Sequence, residues 1–175
     1  MKTNKYLLKI SVFLLCVLFL TVSAEAQRRR KPTTTTTTTT TAATAAEIKE
    51  GAGKVSIQLK NVSKFIYNLA IIGRSIEDLD VEIKAGKASQ KGIETNTKNK
   101  QAVLAGLRNL RAGLAALEVE FRTKPALKTY NLQIQGIADL CGQAEDLAAA
   151  GQFLESGKPL LLAIEKLSDT LVAMP

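Results

Sequence analysis

The chain contains no histidine and no tryptophan among its 175 residues; aromatic residues make up 5% of it, and it has two cysteines and four prolines. Each shortage removes a class of function. Without histidine, serine–histidine–aspartate and cysteine–histidine nucleophilic centres are excluded, together with most zinc sites. Scarce aromatics leave no basic stripe with interleaved rings, the pattern expected of a surface that stacks on nucleic-acid bases. Cys16 lies inside an apolar N-terminal run without small residues before it, so no lipid-attachment site is read there. Cys141 is then the one cysteine of the remainder, which excludes an intramolecular disulfide there. It sits in Ile137-Ala138-Asp139-Leu140-Cys141, on an apolar helical stripe, with no histidine to activate it and no basic residue nearby in sequence. It reads as a buried small hydrophobe rather than a reactive thiol.

Long apolar runs are also scarce. The single one, Ile10–Val22, follows Lys2, Lys5 and Lys9 and precedes Ala24-Glu25-Ala26. A charged start, a short apolar centre and an Ala-x-Ala site define a signal peptide over residues 1–26, cleaved after Ala26, and imply a secreted or periplasmic protein. The run is too short for a membrane span, which needs about 20 residues, so no span is expected in the mature chain. Arg28-Arg29-Arg30-Lys31 follows directly and opposes this reading, since positive charge resists translocation.

What is present divides sharply. After Pro32 come nine threonines, Thr33–Thr41, then Ala42-Ala43-Thr44-Ala45-Ala46. A threonine run has no apolar face to offset its ordering entropy, so residues 27–46 are expected to form a disordered basic, Thr-rich linker. A plain spacer is favoured over an O-glycosylated stalk, because the serine and proline that accompany such stalks are nearly absent. The net charge of +8 belongs mostly to these outer parts. Of the 24 Lys and Arg, three precede Gln27 and four are Arg28–Lys31, leaving 17 against 15 acids over residues 47–175. The folded part is therefore close to neutral, which argues against specific nucleic-acid binding by it. Any weak contact with an anionic surface is expected from Arg28, Arg29, Arg30 and Lys31.

From Glu47 the pattern is helical. Ile48, Ala52, Val55, Leu59, Val62, Ile66, Leu69, Gly73 and Ile76 alternate by four and three, a heptad seam of the coiled-coil kind. Phe65, Leu69, Ile72, Ile76, Leu79 and Ile83 run beside it. The spacing predicts a first helix over 47–85 ending at Gly86, with a kink near Gly73 and Ser75 resembling an N-cap. Residues 86–96 read as a polar connection. A second helix is predicted over 97–122 on Val103, Leu107, Leu110, Leu114, Leu117 and Phe121. Within it Gly106 and Gly113 each cost about 1 kcal/mol relative to alanine, and the expected reason is close approach of a neighbouring helix backbone, with a binding groove as the alternative. Lys124-Pro125 breaks the pattern; a third helix is predicted over 126–150, and Pro159 opens a fourth on Leu160, Ile164, Leu167 and Leu171.

Ala144-Glu145-Asp146-Leu147, Gly151-Gln152-Phe153, Ser156, Leu160 and Ala163 resemble the small/large pattern of one tetratricopeptide-type helical hairpin. A hairpin of that repeat's length, about 34 residues, would cover about a fifth of the chain; the pattern occurs once, whereas solenoids need about three repeats. Pro159 intrudes on its second helix, so a generic helical hairpin is expected, without a peptide-binding groove.

The remaining motifs carry little chemistry. Glu77, Asp78, Asp80 and Glu82 lack the turn spacing of a calcium loop and read as a solvated helix face. Adjacent acids such as Glu118/Glu120 and Glu145/Asp146 point to different faces. Gly51-Ala52-Gly53-Lys54 lacks phosphate-loop spacing and reads as a frayed helix start. Asn61-Val62-Ser63 is a formal glycosylation sequon in mid-helix.

The sequence thus predicts an all-α, up-and-down bundle of four main helices over residues 47–175. No catalytic, cofactor or metal residues emerge. The expected role is non-enzymatic, structural or in protein interaction, with a protein partner or self-association. The alternative is a surface-adhesion protein whose basic tail meets anionic lipid, glycan or nucleic acid, and an enzyme using carboxylates alone comes third.

Overall fold

The computed structural model describes residues 36–175, and among them there is no strand. Helix α1 spans Thr36–Lys84 and α2 spans Gln90–Thr123. A 3₁₀ segment, Pro125–Tyr130, and a single turn, α3 (Asn131–Ile134), lead into α4 (Ile137–Ala149) and α5 (Gly157–Ala173). The signal-peptide segment, residues 27–35 of the expected linker and the Arg28–Lys31 cluster lie outside the described residues.

The four main helices form an up-and-down bundle. α2 runs antiparallel to α1, with Lys54 beside Glu120 near one end and Asp80 beside Lys100 near the other. α4 returns along α2, so that Cys141 meets Leu107 and Ala138 meets Glu118. α5 descends along α1, with Gly157 against Leu69 and Met174 against Gly51. Each helix packs on two neighbours around a core that includes Val55, Val62, Leu69, Leu107, Leu114, Ile137, Cys141, Leu160 and Leu167. This ring is the four-helix arrangement that the apolar periodicities predict. Consistent with the hairpin reading, Ala144, Phe153, Leu160 and Ala163 are buried, and the α4–α5 hairpin closes the bundle against α1 and α2.

α1 shows why the seam forms. Val55, Val62, Leu69 and Ile76, seven residues apart, are almost fully buried. One flanking row (Ala52, Leu59, Ile66, Gly73) and the other (Gln58, Phe65, Ile72, Leu79) are partly covered or buried. The helix begins at Thr36, inside the segment expected as linker. Ala42-Ala43-Thr44-Ala45-Ala46 carries strong helix formers, and extending an existing helix needs no new nucleus. Ala42, Ala45 and Ala46 are exposed, so these alanines favour the helix by propensity rather than by burial.

Several boundaries differ from expectation. Ser75 is an interior residue of continuous α1 and caps nothing. Gly73 provides room: a Cβ there would lie 3.3 Å from Phe153 Cβ. Gly51 is also interior and buried, with Leu127 packed where its side chain would be, so Gly51–Lys54 is no helix start. Gly86 (φ +68°) ends α1 as expected, in a Schellman turn with Lys87 N donating to Glu82 O and Gly86 N to Ile83 O. α2 then starts at Gln90, seven residues before the predicted start, because Ser89 Oγ accepts from Gly92 N at 3.1 Å and caps it. The predicted third helix is interrupted. Pro125 opens a 3₁₀ segment, and Gly136 at φ +89° turns the chain before α4. No side chain of Gly136 can cap α4, so Glu118 of α2 does so, its Oε1 accepting from Ala138 N at 3.0 Å.

Candidate functional site

The face of α1–α2 that points away from the other helices is the least conventional surface of the described residues. Its floor is set by glycines. Gly113 of α2 sits on Gln58, Gly106, seven residues earlier, sits on Phe65, and Gly92, fourteen earlier again, faces Leu79. These three contacts keep one antiparallel register. A Cβ at Gly106 would lie 2.5 Å from Phe65 Cε2, and one at Gly113 would lie 3.0 Å from Gln58 Nε2. The glycines therefore admit side chains of α1, rather than the neighbouring backbone expected from sequence.

Above this floor lies an open groove of about 380 Å³. Gln58, Asn61, Asn68 and Asn109 bring four carboxamides to it, with the Phe65 ring between them and Lys64 at the edge. No carboxylate lines it. Asn61 Nδ2 donates to Gln58 Oε1 at 3.5 Å. Such a lining offers neutral donors and acceptors, suited to peptide or sugar groups and unsuited to holding an isolated charge. Ile57 and Tyr67 stand exposed on α1 next in sequence to the groove-lining Gln58 and Asn68, and Ile71 and Val81 stand exposed farther along the helix. Asn61, the sequon residue, is exposed, but Val62 beside it is fully buried in the seam.

A smaller hollow of about 160 Å³ runs from Gln58 to a charged cluster. Lys54 Nζ lies 2.7 Å from Glu50 Oε1 and 2.6 Å from Glu120 Oε1; Lys124 Nζ lies 2.5 Å from Glu120 and 3.6 Å from Glu50. Burial pushes the Glu120 carboxyl up, but hydrogen bonds from Lys124 and Lys54 and their charges outweigh it, so it sits below the usual range. The hydrogen bond from Lys54, with the charge of Lys124, lowers Glu50 as well. Lys54 and Lys124 are raised, first of all by their hydrogen bonds to Glu120. These shifts favour permanent charge on both partners, as in an ion-pair network that joins α1 to the end of α2. A general acid needs the opposite shift.

The other acids singled out in the sequence are placed individually. Glu77 Oε1 accepts from Leu154 N at 3.0 Å in the α4–α5 turn. Asp80 Oδ1 accepts from Asn96 Nδ2 and Lys100 Nζ, each at 2.6 Å. Glu145 holds Arg108 at 2.7 Å and Arg111 at 3.6 Å. Glu77 and Asp80 thus fasten elements together, where a solvated face was expected. Among the described residues no group of three His, Cys, Asp or Glu is placed to hold a metal ion. Cys141 is buried; burial, with Glu145 nearby, pushes its thiol up to about 11, and its Sγ donates to Leu107 O at 3.4 Å. Of the four carboxamides only Asn61 stood out in the sequence, and then as a sequon residue; Gln58, Asn68 and Asn109 did not, because Asn and Gln on a helix read as ordinary solvated positions. No helix of the described residues is long and apolar enough to cross a membrane. Comparison with known protein families, with characterised proteins and with solved structures gives no match.

Proposed function

We propose that the chain is an exported helical-bundle module that acts by binding another protein surface and performs no catalysis itself. The observation that carries this reading is the exposed apolar set Ile57, Tyr67, Ile71 and Val81 along α1, whose first two members adjoin residues of a groove lined by neutral amides. Large apolar side chains rimmed by polar groups mark interaction sites more often than solvent-facing surface. At one end of this face Lys54, Glu120 and Lys124 form an ion-pair network that joins α1 to α2, which suits a structural scaffold. The signal-peptide pattern at residues 1–26 supports export. The adhesion alternative rests on Arg28–Lys31 and is separable by its salt dependence.

The test is site-directed photocrosslinking in the native host. A benzophenone amino acid replaces Tyr67 or, as control, Val172 on α5, which is 86% exposed. Protein adducts from position 67, with few from position 172, are the expected result. Absence of protein adducts from position 67 would overturn the reading.

A further inference from the structure

We infer that α1 pairs with α1 of a second copy, antiparallel, along the face turned away from its own bundle. The inference rests on the interaction-module reading and names the partner. Ile57, Lys60, Lys64, Tyr67, Ile71, Arg74, Asp78 and Val81 alternate by three and four, the spacing of a heptad seam, and all eight are exposed. Ile57, Lys64, Ile71 and Asp78 each follow a core residue (Val55, Val62, Leu69, Ile76) by two positions. Two residues turn a helix by about 200°, so the outer seam lies opposite the buried one. α1 therefore carries two seams, one filled by α2, α5 and the segment after α2, and one that no described residue covers.

The outer seam is complementary to itself. Ile57 and Val81 lie twelve residues either side of position 69, Tyr67 and Ile71 lie two either side, and the opposite charges Lys60 and Asp78 lie nine either side. Turning a second α1 end for end about that point sets Ile57 on the partner's Val81, Tyr67 on the partner's Ile71 and Lys60 on the partner's Asp78. Each contact then occurs twice, as a two-fold interface requires. The pairing also brings one heptad row onto the other, the rule for antiparallel helices in a coiled coil. Lys64 meets the partner's Arg74, the one like-charged pairing, which also occurs twice. The partner's Asp78 stands one turn beyond that arginine, within reach of Lys64. A parallel pairing would instead place Lys60, Lys64, Arg74 and Asp78 each on its own copy, four like-charged contacts. Charge therefore selects the antiparallel arrangement, and the exposure of Tyr67 (69%) and Ile71 (58%) supplies its apolar centre.

The experiment uses protein expressed from the full chain, followed by sedimentation equilibrium over a range of concentrations. A monomer–dimer equilibrium is expected. Ile71→Glu should weaken it about tenfold or more while leaving helicity unchanged, since Ile71 is outside the core. Lys60→Glu should also weaken it, and Lys60→Glu combined with Asp78→Lys should restore it. Mixing Tyr67→Cys protein with Ile71→Cys protein should give the mixed disulfide ahead of either symmetric one, with the buried Cys141 taking no part. A dimer indifferent to Ile71→Glu and to the charge exchange would overturn this pairing. So would a chain that stays monomeric up to about millimolar concentration. If adducts to a different protein still form at position 67, the module reading stands and the second copy is wrong; if neither dimer nor adduct forms, both fall.

Discussion

Gly106 and Gly53 both lie in helix interiors, yet they predict opposite responses to alanine. At Gly53 a Cβ would meet nothing within 4 Å, so Gly53→Ala should stabilise the protein by about 0.5–1 kcal/mol through helix propensity alone. At Gly106 a Cβ would lie 2.5 Å from the Phe65 ring, which is not the tip of a flexible chain. Overpacking there should outweigh the propensity gain and leave Gly106→Ala about 1 kcal/mol or more less stable. Urea unfolding of the two variants decides the matter, and equal shifts would show that the ring moves aside without cost. Glu120 supplies the pH dependence. Its carboxyl is lowered from 4.5, so the folded state protonates it less readily than the unfolded chain. Its contribution is present above the unfolded value and is lost as pH falls through the folded one. Glu120→Gln should therefore lose less stability than the parent between about pH 7 and about pH 3. The raised Lys54 and Lys124 act at the other end, losing their contribution as pH rises above 10.5 through their folded values.

At the scale of elements, α2 tests the core. Leu107 and Leu114 are fully buried and Leu117 nearly so, whereas Leu110 is only partly covered, at the edge of the amide groove. Leu114→Ala should cost about 2–5 kcal/mol. A loss below about 0.5 kcal/mol, the range of surface changes, would mean that α2 is not held by this stripe. The same stripe was legible in the sequence because leucines recur every three or four residues, and so were the seam of α1 and its glycine terminator. Two boundaries were hidden, for different reasons. Ile134, Ile137 and Cys141 keep helical spacing straight across the turn at Gly136, so periodicity passes through a break that only a positive φ reveals. Residues 90–96 carry a single apolar residue, Ile93, and show no period; their helix depends on the Ser89 cap and on the Asn96–Asp80 contact, made sixteen residues away. The candidate site was less legible still. The four amides of the groove belong to two helices and converge only in the antiparallel register that Gly106 and Gly113 permit. The outer seam of α1 was hidden by its charges, since Lys60, Lys64, Arg74 and Asp78 interrupt an apolar pattern whose meaning depends on which face is already buried.

For the whole molecule, charge and fold separate along the chain. The bundle is nearly neutral, and its best-placed ions are paired internally, as in the Glu50–Lys54–Glu120–Lys124 network. Arg28–Lys31 holds four of the positive charges beyond the expected signal peptide. Any attraction to anionic lipid, glycan or nucleic acid should therefore belong to that cluster. From Thr36 onward the chain belongs to α1. Exported protein should begin at Gln27, which N-terminal sequencing establishes. Its binding to heparin or anionic vesicles should be weak and steeply screened, with a log–log salt slope on duplex DNA of about −3 to −4 for four contacts. A chain shortened to begin at Glu47 retains the apolar residues of the bundle core and should keep its helicity while losing this binding. Equal binding by the two forms at every salt concentration would place the site on the bundle itself and refute the partition of charge between tail and fold. A loss confined to the shortened chain would leave the α1–α2 face to act on proteins alone, because removing the basic cluster takes nothing from Ile57, Tyr67, Ile71 or Val81.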